Sequence, residues 1–315
     1  MRRLDKMSYV FGPVPSRRLG LSLGIDLVPA KTCSYDCLYC QVGRTTGKIA
    51  TPETFVPVQD IVEELKERLE KVSPDTITLS GSGEPTLYAP VAQLISSIKK
   101  TTDIKIAILT NGSLFWREEV RAAVLGAHII APTLSTVFEE TYRAIHRPHD
   151  TLQLGKVIDG LKLLRRDFKG LILLEVVLLK GFNDSDREIS GLKCVIEEIS
   201  PDKVQLNTVV RPPADSRAEC VNRERLEEIR AFFGDRAEII ADIPPEQRKQ
   251  VFDSYADTII ETVKRRPMRA VDLANILDLP LKEVAGLIKG LQIKGILSAT
   301  GHGEETYYRH PAEKD

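Results

Sequence analysis

Five cysteines in 315 residues are too few to staple a chain of this length, and two of them, Cys194 and Cys220, stand alone. No charged segment followed by an apolar core opens the sequence, and no long uninterrupted apolar run occurs in it. Those absences exclude a secretory leader and a membrane span as readings, and point to a cytoplasmic protein with no membrane partner. Charge of one sign is missing as well: 44 Lys plus Arg stand against 45 Asp plus Glu. The chain therefore has no overall bias toward nucleic acid or anionic lipid. What remains is the composition of an ordinary globular protein, 42% hydrophobic and 28% charged. Its length allows one large domain with a small module attached.

In a reducing compartment a disulfide framework is not expected, and clustered cysteines serve metal or redox chemistry instead. The cluster here is "KTCSYDCLYC", which places Cys33, Cys37 and Cys40 within eight positions. Cys194 falls on the apolar stripe of a predicted helix and is expected in the core. Cys220, in a polar stretch, is read as incidental.

From about residue 20 the sequence alternates short apolar runs with amphipathic helical stretches. "LSLGIDLV" (21–28), "DTITLSGSG" (75–83), "IKIAILTNGS" (104–113), "AHIIAPTLS" (127–135), "LILLEVVLLK" (171–180) and "KVQLNTVV" (203–210) read as strands. They are rich in β-branched residues and nearly continuous in apolar character, as strands covered on both faces are. Six βα units in order predict an α/β fold with a parallel sheet, a partial (β/α)6 TIM-like barrel. Near residue 245 the pattern breaks at "IPPEQRKQ". Beyond it, three predicted helices and a hairpin around a Gly-rich tip outline a winged helix-turn-helix. The expected domains are 1–245 for the barrel and 246–315 for the winged helix.

The three cysteines follow directly on the first strand, on the side where βα folds build their sites. A structural zinc site wants four ligands, and no second half lies nearby. The histidines at 128, 146, 149, 302 and 310 all stand far off in sequence. A four-iron cluster also has four corners, and three thiolates leave one iron open to a non-protein ligand.

"CSYDCLYC" resembles the CxxxCxxC signature of the radical S-adenosylmethionine (radical SAM) superfamily. The resemblance spans roughly residues 20–240 and extends to an iron–sulfur oxidoreductase subgroup akin to the wyosine-forming tRNA enzymes. It implies a [4Fe–4S] cluster on Cys33, Cys37 and Cys40, with S-adenosylmethionine chelating the fourth iron. It also implies an electron from a flavodoxin- or ferredoxin-like donor, and a 5′-deoxyadenosyl radical that abstracts hydrogen. "SGSGEPTL" resembles the family's GGE-type motif, with Gly83 and Glu84 facing the methionyl ammonium. By the same resemblance, Thr110 and Asn111 would contact the methionine or ribose, Thr133 and Ser135 the sugar, and Asn207 the adenine.

Glu175 interrupts an apolar run. A carboxylate there needs a partner, either a ribose hydroxyl or the cation of a nearby Arg or Lys. Tyr39 offers a flat ring for the adenine. Arg17, Arg18 and Arg44 are expected to ring the barrel mouth and hold an anionic substrate, unless the N-terminal lead is simply solvated. Wyosine-type enzymes carry a second cluster, which Cys194 and Cys220 are too few to hold, and this departure counts against the wyosine reaction itself. The winged helix points to an RNA or peptide substrate. Yet from Thr258 onward nine basic residues face eight acidic ones, which is not a basic footprint. The competing reading is a winged-helix iron–sulfur sensor of redox state or iron, without turnover.

Overall fold

The computed structural model describes residues 8–16, 18–241, 255–277 and 279–311. All six expected strands are present, in order and parallel. β2 (Gly20–Asp26), β3 (Thr76–Ser80), β4 (Lys105–Thr110), β5 (Ile129–Pro132), β6 (Leu171–Leu178) and β7 (Lys203–Thr208) lie side by side. Between them run α1 (Val58–Leu69), α2 (Val91–Thr101), α3 (Glu118–Val124), α4 (Glu139–His146), α5 (Leu154–Asp167) and α6 (Asp186–Ile199).

Two further strands extend the sheet to eight. β1 (Val10–Ser16) pairs antiparallel with β2, and β8 (Ala237–Ile239), which follows α7 (Arg223–Phe233), pairs parallel with β7. The prolines at 13 and 15 made β1 illegible. Proline is tolerated there because β1 is an edge strand, and its register shifts between Phe11 and Val14. β8, at three residues, is too short to show a period.

The strands divide their side chains by parity. Leu23, Ile25, Ile77, Leu79, Ile106, Ile108, Ile130, Ile172, Leu174, Val204 and Leu206 face the helices in one continuous core. Each such burial is worth roughly 1.5–3 kcal/mol. The alternate positions carry small or polar groups, among them Ser22, Gly24, Thr78, Ser80, Glu175, Gln205 and Asn207. The Ser22 and Thr78 hydroxyls meet at 2.6 Å. The inner face is mixed, since Ala107, Leu109, Ile129, Ala131 and Leu173 form a small apolar cluster beside these polar groups.

The C-terminal part comprises α8 (Tyr255–Arg265), α9 (Ala270–Leu277), α10 (Leu281–Ile293) and a three-stranded sheet of β9 (Met268–Arg269), β10 (Ser298–His302) and β11 (Glu305–Arg309). Met268 and Arg269, just ahead of α9, pair with Tyr308 and Tyr307 of β11. This part packs on β1, whose Val14 joins its core beside Ile259, Met268 and Ile276. The expected boundary near residue 245 lies outside the described residues. Cys194 is exposed on α6, opposite the buried stripe of Ile189, Leu192 and Ile196, which corrects the core expectation, and Cys220 is exposed too. Among the described residues, no helix is long and apolar enough to cross a membrane.

Candidate active site

The loop after β2 carries the three cysteines, all half-buried. It is closed on itself by a two-residue ladder of Thr32–Cys33 against Gly47–Lys48. It is pinned to the end of α4 by Asp36 N to the His146 carbonyl (2.9 Å) and Leu38 N to the Ile145 carbonyl (2.9 Å). Behind it sits His146, buried in a cage of Tyr35, Tyr142 and Tyr39 with ring centroids at 5.0, 5.6 and 5.8 Å. Its Nδ1 lies 3.3 Å from Cys37 Sγ and 3.4 Å from the Tyr39 hydroxyl. Burial pushes this imidazole down to about 3, so it stays neutral. The histidine that stands 106 positions beyond Cys40 in sequence is thus a direct neighbour of Cys37, and sequence separation misjudged it.

The loop after β3 leans against the cysteine loop. Lys31 N donates to the Ser82 carbonyl (2.7 Å) and Glu84 N to the Thr32 carbonyl (3.1 Å). A Cβ on Gly83 would stand 2.0 Å from the Thr32 carbonyl oxygen, so only glycine permits the contact. Gly81, at φ +130°, likewise leaves room for the Asp26 carboxylate, which accepts from Ser82 N (3.1 Å) and Ser82 Oγ (2.6 Å). Glu84 is buried and caps the 3₁₀ turn Pro85–Leu87. One of its oxygens accepts from Thr86 N (3.0 Å), Thr86 Oγ1 (2.6 Å) and Thr110 Oγ1 (2.6 Å); the other accepts from Asn111 N (2.7 Å). Burial raises its carboxyl and these bonds oppose the rise. The Asn111 amide donates to Ser34 Oγ (2.8 Å) and reaches Cys33 Sγ at 3.5 Å. Glu84, Thr110 and Asn111 therefore brace the cysteine loop from behind.

Burial pushes the Cys33 thiol up to about 12, with Glu84 adding to the effect, and raises Cys37 and Cys40 as well. Burial disfavours the thiolate, and a bound cation such as iron would oppose that. Cys33 Sγ already accepts from Tyr35 N at 3.5 Å, the kind of N–H···S contact that stabilises a ligating thiolate. Among the described residues, no three His, Cys, Asp or Glu side chains converge on one ion. A cubane, whose corners stand apart, does not require such convergence.

Glu175 meets Arg18 NH2 at 3.2 Å and accepts from Asn207 Nδ2 at 2.8 Å. The cation reading is therefore realised, and Arg18 NH1 also bonds Gln205 Oε1 at 3.1 Å. Thr133 bridges to Glu175 across the strand ends. Ser135 has no exposed surface, and its hydroxyl accepts from Val177 N at 3.1 Å, so it ties β5 to β6 rather than facing the interior. Tyr39 packs on the cluster of Leu38, Val177 and Val209. Arg18 lines the interior cavity. Arg44 reaches solvent with Asp36 at 3.4 Å, and Arg17 lies outside the described residues.

The model of the Radical SAM superfamily matches residues 27–190. The chain belongs to that superfamily. A UPF0026 protein from Methanocaldococcus jannaschii is 38% identical over 232 residues, covering 73% of this chain and 72% of that protein. The chain is also 42% identical over 240 residues to a protein of Brachyspira hyodysenteriae described as GTPase Obg. That match covers 76% of this chain but only 35% of the relative's length. A solved structure of TYW1 with a lysine–pyruvate adduct bound shares the fold, with TM-score 0.52 at 15% identity over 71% of this chain and 75% of that one. Radical SAM membership brings an enzyme of that type and its two cofactors, a [4Fe–4S] cluster and S-adenosylmethionine.

Asp26 and His146 were the groups that sequence reasoning passed over. Asp26 carried the signal used for Glu175, a carboxylate inside an apolar run. His146 carried none.

Proposed function

We propose that Cys33, Cys37 and Cys40 hold a [4Fe–4S] cluster used to cleave S-adenosylmethionine and abstract hydrogen from a substrate that is RNA or otherwise nucleotide-containing. When bound, the cluster supplies one electron, taken from a flavodoxin- or ferredoxin-like donor, that breaks the S–C5′ bond into methionine and a 5′-deoxyadenosyl radical. The observation that supports this reading is the C-x3-C-x2-C loop itself, inside the matched family region and braced by the Gly83–Glu84 turn. In this reading Gly83, Glu84, Thr110 and Asn111 shape the methionine side through backbone approach and hydrogen bonding. Thr133 and Asn207 serve the ribose and adenine, with Tyr39 beside them, and Glu175, paired with Arg18, holds the Asn207 amide in place. Ser135 is the sugar-side candidate with the least access, fully buried and accepting from Val177 N, with its O–H still free to donate. The C-terminal part from residue 246 is read as a winged helix.

The sensor alternative needs no S-adenosylmethionine pocket, and the polar inner strand positions favour turnover over it. Anaerobic reconstitution with iron and sulfide, followed by reduction with S-adenosylmethionine, is expected to yield 5′-deoxyadenosine. Cys37→Ala is expected to hold no cluster while keeping its circular dichroism. An unchanged iron content in that variant, or zinc in the isolated protein, overturns the ligand assignment. A bound cluster with tight duplex binding and no cleavage hands the case to the sensor.

A further inference from the structure

The interior of the sheet opens into a cavity of about 800 Å³, within the range of small-ligand sites. Its wall has two sources. Strand ends and the cysteine loop supply one part, Gln41 and Asn207 among them, and the C-terminal part supplies the other, with Arg269, Asp272 and Tyr307. The two halves are fastened where they meet: Tyr307 donates its hydroxyl to the Val210 carbonyl at 2.6 Å. The next residue is Arg211.

Several arginines reach this cavity, and they differ in what they already hold. Arg18 is taken by Glu175 at 3.2 Å. Arg265 is taken by Glu261 at 2.9 Å and stands 3.9 Å from Asp26. Arg269 grips Asp272 with two nitrogens, at 3.0 and 2.9 Å, and reaches Glu305 at 3.0 Å. Arg211 has only a 3.4 Å bond to the Gln41 side-chain oxygen, and among the described residues no carboxylate stands within ion-pair distance of it. Asp272 is near enough to act on Arg211 through its charge, but its hydrogen bonds go to Arg269. A half-buried guanidinium with most of its five donors unspent is costly to hold and matches an oxyanion in bidentate fashion.

We infer that Arg211 is the anchor for an oxyanion of the substrate, a phosphate or carboxylate group on a small molecule enclosed between the barrel and the C-terminal part. The inference rests on the radical SAM reading and sets aside its RNA arm in favour of a small molecule, which stays nucleotide-like only if phosphate is the group bound. Gln41, the partner of Arg211, directly follows the third cysteine, so the anchor is tied to the cysteine loop. The C-terminal part then acts as the far wall of the substrate site, and the near-balance of its charge fits that role better than groove reading along a nucleic acid.

The test uses anaerobically reconstituted, S-adenosylmethionine-loaded protein titrated with pyrophosphate and, separately, with succinate, followed by calorimetry. Wild type is expected to bind one of the two saturably, and the tighter one identifies a phosphate-bearing or a carboxylate-bearing substrate. Arg211→Gln should weaken that binding about tenfold or more. Arg211→Lys should fall between, since a point charge replaces the fork. The exposed Arg230→Gln should match wild type. Equal iron content certifies the fold, and if the Gln variant does not fold, the Lys variant carries the comparison. No saturable binding to wild type, or equal binding to the Arg211 variants, overturns the inference. So does a loss of S-adenosylmethionine affinity in place of anion affinity, which would assign the guanidinium to the methionyl carboxylate. If wild type binds the anion but makes no 5′-deoxyadenosine, the radical SAM reading falls and the anion site stands.

Discussion

On the cysteine side of the cavity, Glu84 takes four hydrogen bonds, Asn111 ties two loops together, and Asp26 closes on Ser82. On the opposite side, Arg265 Nε is buried without a hydrogen bond among the described residues, and Arg211 keeps most of its donors unspent. The difference separates two tasks. On the proposed function, the loop that holds the cysteines has to keep one geometry through every turnover, and polar atoms satisfied in advance fix it. A wall that receives an exchanging molecule retains bonds to give, at some cost in stability when empty. The two sides meet at one buried pair, where Arg265 of α8 faces Asp26 of β2 at 3.9 Å, both side chains only 6% exposed.

That pair is the strongest point at which to break the comparison. Arg265→Met removes the cation, and with it the bond to the Ser8 carbonyl (2.8 Å) and the cover over the Phe11 ring. About 3 kcal/mol of stability is expected to be lost near neutral pH, as when a buried charge loses its partner. Burial raises the Asp26 carboxyl and Arg265 opposes that rise. Asp26 therefore takes up its proton more readily in the folded variant, so the deficit should be greatest above its raised titration range. It should shrink as pH falls and the carboxyl becomes neutral in both states. Urea unfolding at several pH values measures this, and a deficit independent of pH would show that Asp26 is not the cause.

A smaller effect is expected from Glu84→Gln. The amide can still accept from Thr110 and Thr86, but its NH2 then confronts the Asn111 N–H, donor against donor. About 2 kcal/mol should be lost by the same measurement. A loss below ~0.5 kcal/mol, the range of ordinary surface substitutions, would mean that the cradle is braced by other contacts. Tyr307→Phe is expected to cost least, about 1 kcal/mol, by freeing the Val210 carbonyl. Hydrogen exchange at residues 209–211 should rise in that variant while exchange at 31–48 stays as in wild type. Equal change in both segments would erase the distinction between the two walls.

The readable parts of this molecule were the ones written locally. The cysteine spacing, the parallel strands and the Gly83–Glu84 turn each declare themselves within ten residues. The unreadable parts depend on partners distant in the chain. Arg18 answers Glu175 from 157 positions away. Sequence logic identified that Glu175 needs an answer without identifying what gives it, and the same rule applied to "LSLGIDLV" would have singled out Asp26. His146 arrives beside Cys37 only because α4 ends under the cysteine loop, which no pattern in "YRAIHRPH" announces. β1 was hidden because proline speaks against strands except at an edge, and being an edge is a property of the sheet.

Strand β1 has a double allegiance. Its backbone extends the barrel sheet through β2, while Val14 stands in the core of the C-terminal part and Phe11 fills the space above Gly24, where a Cβ would lie 2.1 Å from the ring. This strand is thus the mortar of a joint whose bricks, Val14 and Ile259 among them, stand far apart in the sequence. Prising the C-terminal part away would bare Val14 and unroof the cavity in one movement, so the joint and the enclosed interior are kept or lost together.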